Sequence, residues 1–352
     1  MSWIKKIAKI FYINILILII GLFAIEAYWR VYLSSDITVT QQVLADMTIQ
    51  MDTRHLYQSN NPIISYSRNM YGLRTKNFTP NGIEVLAVGG STKDQRYIDD
   101  QEEWVSIFEA QTGLRSANAG VDGQSTYGHI KNFEKWFNKI PNLSPKYIIF
   151  YVGLNDFSKD EGYKYDRLSL PEISKDFLYY WNTSHLEYLR KLLDGIYQAR
   201  KAQIGHGAVD LSTVELTSFG LIDKSLYKSL MEKKIQSYRS RLIRLASESQ
   251  SMGAIPVFVT QSTAEEVFFA KKGKAFSFIS DAYSVQINGI DRVNMRRILN
   301  QATMDICDDL LVKMCIDLAK ELKFNLSDFY DKGHNTPSGA EKIGRYLASK
   351  FN

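Results

Sequence analysis

The stretch Asp331-Lys332-Gly333-His334-Asn335-Thr336-Pro337 sets a carboxylate and an imidazole three residues apart, just ahead of a helix start. A carboxylate that close accepts a hydrogen bond from one imidazole nitrogen, fixes the tautomer and leaves the other nitrogen free to take a proton. The pair becomes chemically meaningful if the chain also supplies a hydroxyl on a tight turn and donors for an oxyanion. Far upstream, the apolar run Ile83 to Val88 reads as a buried parallel strand and leads into Gly89-Gly90-Ser91-Thr92. A strand running into paired glycines and then serine sets a hydroxyl at the C-terminal edge of a sheet, where open α/β sheets bind their ligands. Two further glycine segments follow strand-like runs. They are Asn118-Ala119-Gly120-Val121-Asp122-Gly123, and Gly153-Leu154-Asn155-Asp156 after Tyr147 to Val152.

In this order, Ser91, Gly123, Asn155 and then Asp331 with His334, the chain resembles the SGNH hydrolase superfamily, the GDSL-type esterases and lipases, as a membrane-anchored bacterial member. The four blocks are a Gly-x-Ser turn, an Asn-bearing segment ending in Gly, a Gly-x-Asn-Asp and a C-terminal Asp-x-x-His. They cover residues about 83–158 and 232–350. The resemblance implies an α/β fold, a flavodoxin-like three-layer α/β/α sandwich around a parallel sheet of about five strands. It also implies roles. Ser91 is the nucleophile, His334 the base that deprotonates it and Asp331 the group that orients the imidazole. The backbone N–H groups of Ser91 and Gly123 and the side-chain amide of Asn155 hold the oxyanion. No cofactor and no metal is implied. One residue departs from the pattern: the first block usually reads Gly-Asp-Ser, and here its middle residue is Gly90. Any support from that carboxylate is absent or filled elsewhere.

Blander readings exist for each block. The glycine turn could be an ordinary βα connection or a phosphate cradle, although no Gly-x-x-x-x-Gly-Lys-Ser/Thr occurs. Asn155-Asp156 alone would read as a helix cap. Asp331 and His334 are too few for a metal site, and no other His/Cys cluster joins them. Of the remaining histidines, His129 reads as a helix-start or surface residue near the site. His55, His185 and His206 read as structural or solvated. Ser125, beside Gly123, is a rival hydroxyl that no strand-to-glycine turn presents. Thr336-Pro337 reads as N-cap and first residue of a closing helix, Ser338 to Phe351.

The elements that must position these residues occupy most of the 352-residue chain. Lys5, Lys6 and Lys9 precede Ile10 to Trp29, about twenty mostly apolar residues, the length that spans a bilayer core. Glu26 lies near its end. No small-x-small cleavage site follows, so a retained signal anchor (10–29) is expected. The lysines place residues 1–9 in the cytoplasm and the catalytic domain outside, across a bacterial inner membrane. Residues 30–80 read as a membrane-proximal stalk packed on the catalytic domain. The hydrolase domain is 81–352, with a helical insertion at about 160–231 that contains the amphipathic run His185 to Leu193. A helix from about Leu226 to Ser247 and a strand from Ala254 to Thr260 follow. The net charge of +5 is modest and its basic residues are dispersed without aromatic interleaving, which argues against nucleic-acid binding. Cys307 and Cys315 flank a short loop between a helical stretch (Val293 to Ile306) and a strand-like one. A disulfide there would suit an exported domain. A single helix through both would hold them about 12 Å apart and forbid it. The disulfide is the expectation.

These readings converge on a serine ester hydrolase that removes O-acetyl or other short acyl groups from an envelope or exported glycan. Its partners would be an acylated glycan or other ester, and membrane lipid through the anchor. An O-acetyltransferase using the same acyl-enzyme, a thioesterase or lysophospholipase acting on lipid, and a non-catalytic tethered binding module are the alternatives.

Overall fold

The computed structural model describes residues 2–28, 47–75, 79–159, 166, 206–308, 312 and 314–351. Trp29, residues 30–46, the run 185–193 and most of the expected insertion at 160–231 lie outside the described residues. The chain divides into two units, residues 1–41 with 169–204, and residues 42–168 with 205–352. Of the first, the helix α1 (Ser2–Tyr28) is described. It starts well before Ile10 and so takes in Lys5, Lys6 and Lys9. Its stretch Lys5–Ile25 has a mean hydropathy of 2.4 and none of it is buried. At about 1.5 Å per residue it is roughly 32 Å long, enough to cross a hydrocarbon core.

The second unit opens with an antiparallel hairpin, β1 (Met47–Asp52) and β2 (Ile63–Arg68). There follow β3 (Val85–Gly89), the single turn α2 (Ser91–Asp94), α3 (Trp104–Thr112), β4 (Ser116–Gly120), α4 (Thr126–Lys135) and β5 (Tyr147–Tyr151). Later come β6 (Leu216–Thr217), α5 (Tyr227–Ser251), β7 (Ile255–Val259), α6 (Ala264–Lys272) and β8 (Ala275–Phe276). The hairpin β9 (Ser280–Ala282) and β10 (Val285–Ile287), α7 (Gly289–Asp305), β11 (Met314–Ile316), α8 (Leu318–Glu321) and α9 (Pro337–Ala348) complete it. The helix expected from Leu226 thus begins at Tyr227 and runs on to Ser251, so the end of the expected insertion belongs to a core helix.

Five strands form one parallel sheet in the order β11-β7-β5-β3-β4. Counting these five alone along the chain, the order is 2-1-3-4-5, the flavodoxin-like doubly wound arrangement. Strands β3, β5 and β7 read VLAVG, YIIFY and IPVFV, apolar on both faces because helices cover both. Val85, Ala87, Ile149, Tyr151, Val257 and Val259 pack with Trp104, Val105 and Phe108 of α3 and Ala340, Ile343 and Leu347 of α9. The alternate residues Phe150 and Phe258 stack at 4.9 Å on the opposite face, with Phe133 of α4 against Phe150. Helix α5 packs on α4 and on α7 in that layer. Edge strand β4, SANAG, has no β-branched residue. It is held as a strand on both sides, by β3 and by Arg74, whose backbone exchanges hydrogen bonds with Asn118 at 2.9 and 3.0 Å.

Residues 47–75 of the expected stalk are built into this unit by buried charge. The Arg68 guanidinium donates to Asp94 Oδ1, the Gly120 carbonyl and the Gly72 carbonyl, each at 2.6 Å, and to the Tyr66 hydroxyl at 2.7 Å. Tyr66 in turn donates to Asp94 at 2.8 Å. Arg74, equally buried, donates to Asp100 at 2.8 Å and lies 4.6 Å over the Tyr66 ring. At the far edge of the sheet a disulfide joins Cys307, on the turn after α7, to Cys315 in β11, with Cα atoms 6.0 Å apart.

Removing one partner of a buried pair strands the other, so Arg68→Ala is expected to destabilise the fold by about 3–5 kcal/mol. Urea denaturation followed by circular dichroism measures it; a loss under about 1 kcal/mol would show that Tyr66 and Arg96, the latter 3.3 Å from Asp94 Oδ2, satisfy the carboxylate without Arg68.

Candidate active site

Strand β3 ends at Gly89, Gly90 is the N-cap position of α2, and Ser91 is the first helical residue. The hydroxyl is thereby raised at the C-terminal edge of the sheet, half-buried. His334 arrives on the loop ahead of α9. That loop is closed by hydrogen bonds from the Tyr330 N–H to the His334 carbonyl at 3.1 Å and from the Thr336 N–H to the Asp328 carbonyl at 3.0 Å. Thr336 caps α9 and Pro337 is its first residue.

The three side chains meet. Asp331 Oδ1 accepts the backbone N–H groups of Gly333 (2.8 Å) and His334 (2.7 Å), and Oδ2 lies 2.7 Å from His334 Nδ1. His334 Nε2 lies 2.8 Å from Ser91 Oγ. With its Nδ1–H given to the carboxylate, the ring presents a lone pair at Nε2 to the serine proton. Burial pushes the Asp331 carboxyl up, but the hydrogen bond and charge of His334 and the two backbone N–H groups hold it below the usual range. It stays ionised, as an acceptor must.

The three expected donors belong to the Ser91 turn and to the segments that follow β4 and β5. Among the described residues, the Ser91 N–H and the Gly123 N–H have no acceptor. Ser91's is one of the orphan amides of a helix start. Gly123 sits at φ 73°, left-handed backbone that glycine alone adopts at little cost. Asn155 spends one amide hydrogen on the Gln124 carbonyl at 2.9 Å and keeps the second. The Lys159 ammonium binds the Gly123 carbonyl, tying that loop from behind.

Gly90 gains its reason here. A Cβ at this position would lie 2.3 Å from Asn155 Nδ2 and 2.8 Å from the Gln124 carbonyl oxygen, so no side chain fits beside the amide. A carboxylate at position 90 is therefore sterically incompatible with this placement of Asn155.

Two histidines have neighbours that the sequence did not announce. His129 lies in the first turn of α4, at the helix start, but is not on the surface. It is 1% exposed, with Nδ1 2.9 Å from Gln124 Oε1. Of the two readings of His206, structural or solvated, the first holds, and its ring centroid is 4.2 Å from that of His334. Nothing in sequence spacing announces this contact. His55 rests edge-on against Tyr97, and His185 is outside the described residues. Ser125 is fully buried and donates from N–H and Oγ to Asp166 at 2.7 and 2.9 Å, so no substrate reaches it.

His206, Asp331 and His334 offer three ligand atoms within 4.8 Å of one another, one more candidate than the sequence provided. The two imidazoles, however, are in ring contact, tilted with planes 39° apart. His334 commits both nitrogens, and His206 Nδ1 is engaged by Tyr330 at 2.7 Å.

Neither a family model nor a curated protein matches the chain. Solved structures do. Axe2, an acetylxylan esterase from Geobacillus stearothermophilus, is 11% identical over 77% of this chain and 94% of its own, with a TM-score of 0.41. A GDSL-like lipase from Bacteroides thetaiotaomicron is 10% identical over 78% and 91%, with a TM-score of 0.38. The acetyl xylan esterase AlAXEase is 12% identical over 76% and 99%, with a TM-score of 0.40. At such identities and TM-scores the chemistry of this chain rests on its own geometry.

Two expectations follow from that geometry. Gly90→Ala must displace the Asn155 amide and is expected to lower turnover on an ester by about 10²-fold with the melting temperature largely kept. Unchanged turnover in the alanine variant would take the close approach out of the mechanism. The second concerns pH. Burial, then the charge of Lys159, holds His129 down to about 3; burial, then the charge of His334, holds His206 down to about 4, against an ordinary 6.5 for both. The unfolded chain takes up these protons near pH 6.5 and the folded one only far below. This share of stability is therefore whole above about 6.5 and drains as pH falls toward 4. Melting temperatures recorded across that window should fall, less steeply in His129→Gln; a profile identical in the variant would contradict the buried neutral ring.

Proposed function

We propose that this chain is a serine ester hydrolase of the SGNH type. The observation that carries the proposal is the relay Ser91 Oγ–His334 Nε2 at 2.8 Å and His334 Nδ1–Asp331 at 2.7 Å, at the carboxyl edge of a doubly wound sheet. Ser91 Oγ attacks the acyl carbon while His334 Nε2 takes its proton. The carbonyl oxygen becomes an oxyanion facing the N–H groups of Ser91 and Gly123 and the free amide hydrogen of Asn155. Collapse expels the alcohol, which leaves with the proton from His334, and an acyl group stays on Ser91. Water, deprotonated by His334, then releases the acid. Asp331 remains ionised throughout and steadies the imidazolium.

We place the reaction outside the cytoplasm, on a short acyl ester such as an O-acetyl group of an envelope or exported glycan. The apolar length of Lys5–Ile25 supports a membrane anchor, and Lys5, Lys6 and Lys9 support an inside N-terminus. The Cys307–Cys315 disulfide supports an oxidising compartment. The glycan and the acetyl group follow the habit of the family that the motifs resemble.

A fluorophosphonate probe is expected to label the full-length protein and not Ser91→Ala. Acetate release from p-nitrophenyl acetate and from an acetylated xylan should vanish in Ser91→Ala and His334→Ala, and Asn155→Ala should lower kcat by about 10²–10³ with little change in KM. Folded wild-type protein that neither labels nor releases acetate sinks the hydrolase and favours a tethered binding module.

A further inference from the structure

We propose that His206 is a positioning residue: it backs the His334 imidazole and, by remaining uncharged, lets that ring carry the proton taken from Ser91. The inference rests on the reading of His334 as the general base.

The geometry is specific. The His206 and His334 rings are 4.2 Å apart between centroids and tilted by 39°. The Tyr330 ring lies nearly parallel to His334, 11° apart at 5.7 Å. Tyr330 also touches His206 directly, its hydroxyl 2.7 Å from Nδ1. Hydrogen bonds to Asp331 and Ser91 fix the two nitrogens of His334 in the ring plane but press on neither face. Swinging out of that plane is opposed by aromatic neighbours. His206 occupies the side toward Asp122, whose carboxylate lies 3.8 Å from His206 Nε2. Asp122 is also the residue before the proposed oxyanion glycine, so one imidazole spans the gap between the base and the oxyanion loop.

Its tautomer follows from its partners. Burial pushes the Tyr330 phenol well above its ordinary range, so the hydroxyl keeps its proton and donates to Nδ1. The ring proton then sits on Nε2, facing the Asp122 carboxylate. The charged and titratable groups that surround His206 are His334 and Asp331 from the catalytic loop, and Tyr330 beside them. Asp122 faces it from the segment after β4, and Arg96, 3.6 Å from Asp122, and Tyr97, at 5.0 Å between rings, from the segment after α2. Arg96 offsets the carboxylate that would otherwise draw a proton to His206. Two imidazoles 4.2 Å apart cannot both be cations at little cost, and the catalytic cycle needs that charge on His334.

Substitutions at 206 separate packing from charge. The full-length protein in detergent is assayed on p-nitrophenyl acetate across pH, with melting temperatures as the folding control. His206→Phe keeps a flat aromatic face and is expected to hold kcat within about threefold of wild type, whereas His206→Ala frees the His334 ring and lowers kcat about tenfold or more with KM within about twofold. His206→Lys sets a fixed cation against the ring, lowering kcat further and moving the acid limb of kcat/KM to lower pH. An alanine variant as active as wild type, or a phenylalanine variant as impaired as alanine, overturns the positioning role. A lysine variant with an unmoved acid limb overturns the charge argument. A wild-type protein without acetate release or probe labelling is a different outcome, and it fails the hydrolase reading itself.

Discussion

The buried ion pair between Arg68 and Asp94 is the constraint on which the site stands. Asp94 closes α2, a helix of four residues that opens on Ser91. One turn of helix has no stability of its own, because nucleation fixes several residues for a single hydrogen bond. This turn is held from outside. Arg68 and Tyr66 reach Asp94 from the hairpin, and Arg96 lies 3.3 Å from its other oxygen. Burial pushes the Asp94 carboxyl up, yet Arg68, Arg96 and Arg74 together hold it down to about 2. The same guanidinium that grips Asp94 also grips the Gly120 carbonyl at the end of β4. One side chain thus couples the Ser91 turn to the strand that leads to Gly123. A buried pair of this kind costs desolvation and is weak evidence for stability as such. Its use here is geometric.

Sheet topology does the rest. In the order β11-β7-β5-β3-β4 the winding reverses between β3 and β5, and at such a reversal the loops leaving the strand ends part to opposite sides and open a crevice. Ser91 leaves β3, and the Gly153–Asn155 segment leaves β5, so the Ser91 turn and the Asn155 amide lie on either side of it. Gly123 follows β4, next to β3 on its other side. The histidine comes from none of these strands. It is delivered by the loop before α9, which packs on α3 in the layer below. The hydrogen bond between residues 91 and 334 therefore depends on the α3–α9 contact being in register with the sheet.

Local pattern carried much of this into the sequence. The runs at 85–89, 147–151 and 255–259 are apolar because both faces are covered, and apolar runs bounded by glycine are legible. The four motif blocks were legible for the same reason: each lies within a few residues. Burial of charge was not. Arg68 and Arg74 look like surface residues of a polar stalk, and only their remote partners, Asp94, Asp100 and the strand β4 carbonyls, make them core. The neighbours of His129 and His206 were hidden on the same account. An imidazole is equally at home in water or in a satisfied interior, and its neighbours Gln124, Tyr330 and His334 are set by tertiary structure.

Position 90 shows how one departure from a pattern acquires meaning in three dimensions. Read along the chain, glycine there is a missing carboxylate beside the nucleophile. In space, the volume a side chain would need is occupied by the Asn155 amide. The exchange is electrostatically favourable for the proposed reaction. Negative charge develops on the substrate oxygen next to Ser91, and a fixed carboxylate at that distance would oppose it, whereas an amide hydrogen and two backbone N–H groups stabilise it. The surroundings agree in sign: the Lys159 ammonium binds the Gly123 carbonyl, and Arg96 pairs with Asp122 at the mouth of the same loop. Glycine at 90 is then what this placement of the Asn155 amide and the Gln124 carbonyl requires.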